Sequence, residues 1–333
     1  MNPILLTIFI IVAILIVVGI FAGNYLISYA LIPNEEDERE VVVEDTKVEG
    51  VAEADQQIVE EAEAEKEAEE KRFDLWKEQL AIENIRKVSI ESFDDLKLIG
   101  TVYEQSKPSD SWVVLSHGYQ TNQQANEVYV RHYFDYGYNV LNFDQRSAGE
   151  SEGKYITMGI KEHKDLLQWI ETLVKNYPDA KIVLHGESMG AATTLFAAGS
   201  GKLSPQVQCI VSDCAYTDVY RIFTNELYNR FNLPQFPMMN LGRLVAKIRV
   251  GIDLKEEGNV LPYIRNVDLP TLLIHTSADD FVPFPMMNEI YANLDMEDKE
   301  TYIVDGAVHA QAKFAEPHNY WQKVFNFIDK RMK

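Results

Sequence analysis

Five consecutive residues, Gly186-Glu187-Ser188-Met189-Gly190, place a serine between two glycines. A short β-rich run, Lys181–His185, precedes them, and a small apolar stretch of helical character, Met189–Ala198, follows. A serine on a sharp strand-to-helix turn is pushed clear of the sheet, and side chains in place of the flanking glycines would clash there. The helix N-terminus behind it favours developing negative charge. The pattern marks Ser188 as a nucleophile, and a nucleophilic serine needs a base.

Seven histidines are available. His132 and His163 fall in expected helices, and His117, His185 and His275 at or near strand ends. His318 follows Pro317 at a helix start. His309 sits in the loop Asp305-Gly306-Ala307-Val308-His309-Ala310 after the last expected strand, where a base could reach the serine. The acid that orients the imidazole has three candidates: Asp279, Asp280 and Asp213, each after a strand. The order Ser, Asp, His mildly favours the 279/280 pair. An oxyanion hole needs two donors. The N–H of Met189 is one, and the N–H of Tyr119, after Ser116-His117-Gly118, is the other.

These residues need a scaffold that brings strand ends together. Eight β-rich runs are legible: Val88–Ser92, Leu98–Tyr103, Trp112–Ser116, Asn139–Phe143, Lys181–His185, Val207–Ser212, Thr271–His275 and Glu300–Val304. Helical patterns at Asn126–Tyr136, Ile160–Tyr177, Met189–Ala198, Met286–Leu294 and Tyr320–Lys330 separate the later runs. Alternation of this kind predicts a mostly parallel sheet covered on both faces, with an antiparallel start where no helix intervenes. Sites in such sheets form at the carboxyl ends of the strands.

With these motifs in place, the chain from about Ile85 to Lys333 resembles the α/β-hydrolase superfamily, in particular its single-anchor bacterial branch. The resemblance rests on His117-Gly118-Tyr119, Gly186-Glu187-Ser188-Met189-Gly190, Asp279-Asp280-Phe281-Val282-Pro283 and Val308-His309-Ala310. Ala22-Gly23-Asn24-Tyr25 and Tyr29-Ala30-Leu31 look similar to that branch too. The resemblance implies that the acid is Asp279, the Asp of an Asp-x-x-Val-Pro pattern. It implies a Ser188–Asp279–His309 triad that cleaves an ester-type bond, carboxylic ester or thioester, through an acyl-enzyme and without a cofactor. A serine peptidase or acyltransferase on the same fold is the alternative, because fold and triad do not choose the leaving group. A non-catalytic, membrane-tethered interaction protein is the reading of another class. The family's turn Asp-x-Arg-Gly-x-Gly-x-Ser stands here as Asp144-Gln145-Arg146-Ser147-Ala148-Gly149-Glu150-Ser151, with Ser147 in place of the first glycine. Nearly 60 residues separate the sixth and seventh runs, too many for an ordinary connection, and they look like a cap at about 217–265. Phe223, Tyr228, Phe231, Phe236, Met238 and Met239 either line an acyl pocket or pack the cap.

The N-terminal part is different. Ile4 to Ile32 carries no charged side chain, and Ile4–Ala22 is almost wholly apolar. About 20 such residues span a bilayer, so residues 1–33 read as a transmembrane anchor. Cleavage of a leader near Ser28-Tyr29-Ala30 is the weaker reading, because the apolar run is long and no basic residue precedes it. Gly19 and Gly23 form a small-xxx-small pair that could pack helices. The catalytic domain is expected outside the cytoplasm, although neither flank carries a Lys/Arg cluster to set the orientation.

Residues 34–80 read as an acidic spacer, disordered or helical, between anchor and domain. Glu35–Glu70 holds seventeen acidic residues against Arg39, Lys47 and Lys66, about −14 of the net charge of −21. Such a segment is poor in aromatics and cannot fold alone. A docking segment for a basic partner is the alternative. The remaining 81–333 form one hydrolase domain. A chain this acidic is a poor nucleic-acid binder. Its expected partners are a small acyl substrate and, through the helix, a membrane. Cys209 and Cys214 lie about 16 Å apart if extended, too far for a disulfide. No Cys/His spacing for zinc and no phosphate-binding glycine pattern is present.

Overall fold

A computed structural model describes residues 3–34 and 52–332. Eight strands form one sheet: β1 (Ile85–Glu91), β2 (Lys97–Tyr103), β3 (Ser111–Ser116), β4 (Asn139–Phe143), β5 (Lys181–Glu187), β6 (Val207–Asp213), β7 (Thr271–Thr276) and β8 (Lys299–Val304). Their order is β1-β2-β4-β3-β5-β6-β7-β8. β1 pairs antiparallel with β2, and β2 with β4; every later pairing is parallel. The expected antiparallel start and parallel body are both present. Only β1 is displaced, beginning three residues before the expected Val88. Its outward residues Arg86 and Lys87 break the apolar pattern there while still pairing with β2.

Side chains alternate across a strand, so each strand feeds two cores. In β3, Trp112 and Val114 pack into one core, Val113 and Leu115 into the other. The first core lies under α4 (Glu162–Asn176) and α5 (Met189–Gly199), and the second under α3 (Glu127–Asp135) and α11 (Pro317–Asp329). α9 (Pro285–Asn293) adds Met286, Met287 and Ile290 to the first core. Between β6 and β7 the expected cap is built from α6 (Val219–Phe231), α7 (Gln235–Arg249) and the short α8 (Leu261–Ile264). Cys209 and Cys214 are buried and unbridged.

The N-terminal region departs from expectation. α1 (Pro3–Leu31) is one continuous helix. Among the described residues, however, no helix is long and apolar enough to cross a membrane. The last thirteen residues of α1, Gly19–Leu31, dock onto the domain. A Cβ on Gly23 would lie 2.9 Å from Val245 of α7, and one on Gly19 would lie 3.4 Å from Leu241. The small-xxx-small pair is thus a packing face for α7 of the same chain. Ile27 and Leu31 are buried in the first core. With no such membrane-crossing helix among the described residues, the expected transmembrane anchor over 1–33 is not supported by the structure. Ser28-Tyr29-Ala30 lies inside this docked stretch, where Ser28 Oγ accepts from Arg249 at 2.7 Å.

The acidic segment is also docked. Its first part, 35–51, lies outside the described residues. The rest forms α2 (Gln56–Gln79), whose N-cap Asp55 accepts from the N–H groups of Gln57 and Ile58. α2 buries Val59, Ala62, Glu69 and Phe73, with Phe73 in the second core, and Trp76 donates to Asp135 at 2.8 Å. Instead of a solvated spacer, residues 56–79 are a helical layer of the domain.

Candidate active site

Ser188 occupies the turn between β5 and α5 with φ 54° and ψ −115°, a conformation costing about 1–3 kcal/mol. The surrounding backbone enforces it. A Cβ on Gly186 would lie 2.3 Å from the carbonyl oxygen of Gly190, and one on Gly190 would lie 1.9 Å from that of Ser116. Both positions therefore require glycine. The Ser188 N–H donates to Asp213 O at 2.8 Å, which ties the turn to the end of β6.

The loops after β7 and β8 bring the other two residues in. His309 Nε2 lies 2.9 Å from Ser188 Oγ, and Nδ1 lies 2.7 Å from Asp279 Oδ2. Asp279 is fully buried. Its Oδ1 accepts from the N–H groups of Phe281 at 3.1 Å and Val282 at 2.8 Å. Burial pushes its pKa up, but the charge and hydrogen bonds of His309 and His275 outweigh this and hold it at about 2. His309 is shifted the other way: burial opposes its charge, yet Asp279 raises it above its ordinary value. Carboxylate and imidazole thus favour each other's charged form, which suits a base that must carry a proton transiently.

Of the three candidate acids, Asp279 is the one that reaches His309. Asp213 instead accepts from the Tyr320 hydroxyl at 2.8 Å, and burial lifts its pKa to about 6. His275 was legible only as a strand-end histidine; its Nε2 lies 3.3 Å from Asp279 Oδ2 and 2.9 Å from Val282 O.

The loop carrying Tyr119 passes beside the nucleophile: a Cβ on Gly118 would lie 3.7 Å from Ser188 Cβ. His117 holds this loop. The N–H of Gln145 donates to its Nε2 at 2.9 Å, so Nδ1 carries the proton and donates to Gly118 O at 2.8 Å. Burial lowers the pKa of His117, in keeping with that neutral form. Met189 is buried at the first position of α5, directly after Ser188.

Two features of the site carried no motif. Glu187 accepts from Tyr129 Oη at 2.6 Å and from Lys313 Nζ, forming a buried ion pair beneath the nucleophile. The segment before α2 binds both loops of the site: Ala52 N–H donates to Ser277 O at 3.1 Å, and Asp55 N–H to Gly306 O at 2.9 Å. Gln311, two residues after His309, donates to Glu63 of α2 at 2.7 Å.

Among the described residues, one group offers metal-ligand types: Cys214, Asp279 and His309, with ligand atoms within 4.8 Å of one another. Asp279 and His309 are already committed to each other and to Ser188. Burial drives the Cys214 thiol well above its ordinary pKa, away from the thiolate a metal needs.

A mostly parallel eight-stranded sheet with a strained serine turn, and a histidine and a buried aspartate at neighbouring strand ends, defines a serine hydrolase, esterase-like fold. Comparison with known proteins agrees. Residues 107–255 match the family described as serine aminopeptidase, S33. YqkD of Bacillus subtilis, itself uncharacterized, is 30% identical over 219 residues, 65% of this chain and 70% of that protein. YfhR of Escherichia coli K12, also uncharacterized, is 25% identical over 222 residues, 65% of this chain and 69% of that one. Among solved structures, the Pyrococcus furiosus esterase Pf2001 superposes with a TM-score of 0.62 at 26% identity, covering 75% of this chain and 92% of the esterase. The acylaminoacyl peptidase of Pyrococcus horikoshii shares the fold, with a TM-score of 0.56 at 18% identity over 78% of this chain and 43% of the peptidase. The chain belongs to the α/β-hydrolase superfamily.

Proposed function

We propose that the protein hydrolyses an ester-type bond, a carboxylic ester or thioester, through an acyl-enzyme on Ser188. The observation that carries this is the 2.9 Å approach of His309 Nε2 to Ser188 Oγ, with Asp279 2.7 Å behind the imidazole. Ser188 Oγ attacks the carbonyl carbon as His309 takes its proton. The N–H groups of Met189 and Tyr119 receive the oxyanion, a contribution of about 3 kcal/mol per donor. His309 returns the proton to the leaving group, then activates the water that releases the acid and restores Ser188. Asp279 keeps the imidazole in the tautomer this needs.

The likeness to the esterase Pf2001 supports an ester over an amide as the substrate. The S33 description favours a peptidase as the second reading. A fluorophosphonate probe tests the first step: the wild type labels and Ser188→Ala does not. An unlabelled, folded wild type would falsify the enzyme reading. A panel of esters and peptidyl amides then decides the leaving group. An intact triad speaks against a purely non-catalytic interaction protein.

We further propose that the protein works at a membrane surface. Ile4, Phe9 and Phe21 of α1 are 67%, 69% and 73% exposed, and Phe236 and Ile248 of the cap are 75% and 78% exposed. Apolar surface of this kind marks an interaction site. The exposed N-terminal part of α1 enters the bilayer from one side, and the domain rests on the surface. Liposome co-sedimentation tests this: Phe9→Glu with Phe21→Glu should release the protein, and unchanged binding by that variant would refute it.

A further inference from the structure

Beside the site lies a mostly apolar cleft with about 790 Å³ of empty space, open solvent included. Tyr119 and Phe281 line its inner end. Tyr119 belongs to the loop beside Ser188, and the Phe281 ring stands 5.2 Å from that of His309. Phe223, Phe231 and Met239 of the cap form one wall. Phe236 and Tyr228, read from the sequence as pocket candidates with these, are exposed instead. The opposite wall is α1, through Leu26, Ile27 and Ala30.

Helix α1 is fixed in that position by the oxyanion loop itself. The last carbonyls of a helix lack partners within it. Here the Tyr119 hydroxyl donates to Ala30 O, Gln120 Nε2 donates to Ile32 O at 3.3 Å, and Asn34 N–H donates back to Gln120 Oε1 at 3.1 Å. The N–H of Ile156 takes Leu31 O at 2.7 Å. A wall of the cleft and the loop beside the nucleophile therefore move as one piece.

The charges at the cleft are matched internally. Arg230 pairs with Glu226 at 2.6 Å, and Arg243 with Asp253 at 2.6 Å. Neither guanidinium is left to draw an anion, so what enters is selected by apolar area.

We propose that this cleft holds the acyl chain of the substrate and that α1 is its length-setting wall. The inference rests on the hydrolase reading and adds the substrate class: esters of medium to long unbranched acyl chains. The N-terminal helix, outside the residues that match the family, thereby becomes part of the substrate site.

The test uses the full chain and p-nitrophenyl esters from acetyl to dodecanoyl, with fluorophosphonate labelling of Ser188 reported for every variant. In the wild type, kcat/KM rises from the acetyl to the octanoyl ester. Ala30→Phe narrows the cleft and lowers the dodecanoyl-to-acetyl ratio of kcat/KM by about tenfold or more. Leu26→Ala widens it and moves the preferred length upward. A wild-type rate that falls with chain length, or a ratio unmoved in both labelling variants, overturns the inference and leaves the hydrolase reading intact. A folded wild type that neither labels nor cleaves any ester overturns both.

Discussion

The ammonium of Lys313 donates at once to the carboxylate of Glu187, just before the nucleophile, and at 2.8 Å to the carbonyl of Ala310, just after His309. One buried side chain thus fastens the turn that carries Ser188 to the loop that carries His309. Tyr129 adds a 2.6 Å bond to the same carboxylate. Burial opposes the charge on Glu187, but Lys313 and Tyr129 outweigh it and hold the pKa below its ordinary value. A depressed carboxylate contributes stability above its unfolded pKa and loses it as pH falls through the folded one.

Lys313→Met leaves the Glu187 charge buried without its cation. The expected cost is about 3–5 kcal/mol of unfolding free energy, measured by urea denaturation at neutral pH. Combining it with Glu187→Gln removes the unpaired charge and recovers part of that loss. A single variant within about 0.5 kcal/mol of wild type would show that the clamp is not structural.

The residues proposed to do chemistry were legible because each sits in a local pattern with a mechanical cause. Glycines at 186 and 190 are forced by clashes with Gly190 O and Ser116 O, so they appear as a motif around Ser188. Lys313 and Glu187 have no such signature, since their pairing is created by the fold. The packing of the acidic helix left no such signature for a related reason. Val59, Ala62, Phe73, Trp76 and Leu80 fall at alternating three- and four-residue spacing once Lys66 and Glu69 are counted as members. Glu69 broke the apolar pattern, yet it is buried and paired with Arg131, and hydrogen bonding to His132 and Arg131 holds its pKa at about 2 against the cost of burial. Composition showed the charge of α2 but not the cations waiting on α3. For α1, hydropathy gave the length of the apolar run and no sign that its last thirteen residues, Gly19–Leu31, pack on the cap and the first core.

In the proposed mechanism, Asp279 sets where activity turns on with pH. The proposed base is neutral His309, whose pKa is raised above its ordinary 6.5, with burial opposing the shift and Asp279 as its main cause. The acid limb of kcat/KM should therefore lie above pH 6.5 and rise with pH. A raised folded pKa also means that protonated His309 contributes stability below 6.5 and loses it as pH rises through the folded value. Asp279→Asn removes the main support for the charged form and leaves burial against it. The acid limb then moves to lower pH, and kcat/KM falls by about 10⁴. Rates on a short-chain ester across pH 5–9 check both, and a variant whose limb stays in place would remove Asp279 from its assigned role.

Ser147 stands where the family turn has glycine, and the backbone still adopts the conformation that glycine favours, with φ 62°. Its hydroxyl is buried without a hydrogen-bond partner among the described residues. Its N–H donates to Glu152 O at 3.0 Å, a bond that glycine keeps. Ser147→Gly relieves a left-handed conformation costing about 1–2 kcal/mol and frees no useful contact. The greater freedom of glycine in the unfolded chain takes back about 0.5–1 kcal/mol. The net expectation is a gain of about 0.5–1 kcal/mol, or roughly 2 °C in Tm for a domain of this size. Differential scanning calorimetry reads that shift directly. A Ser147→Gly protein that melts below wild type would mean that the serine is held there by an interaction stronger than the strain it carries.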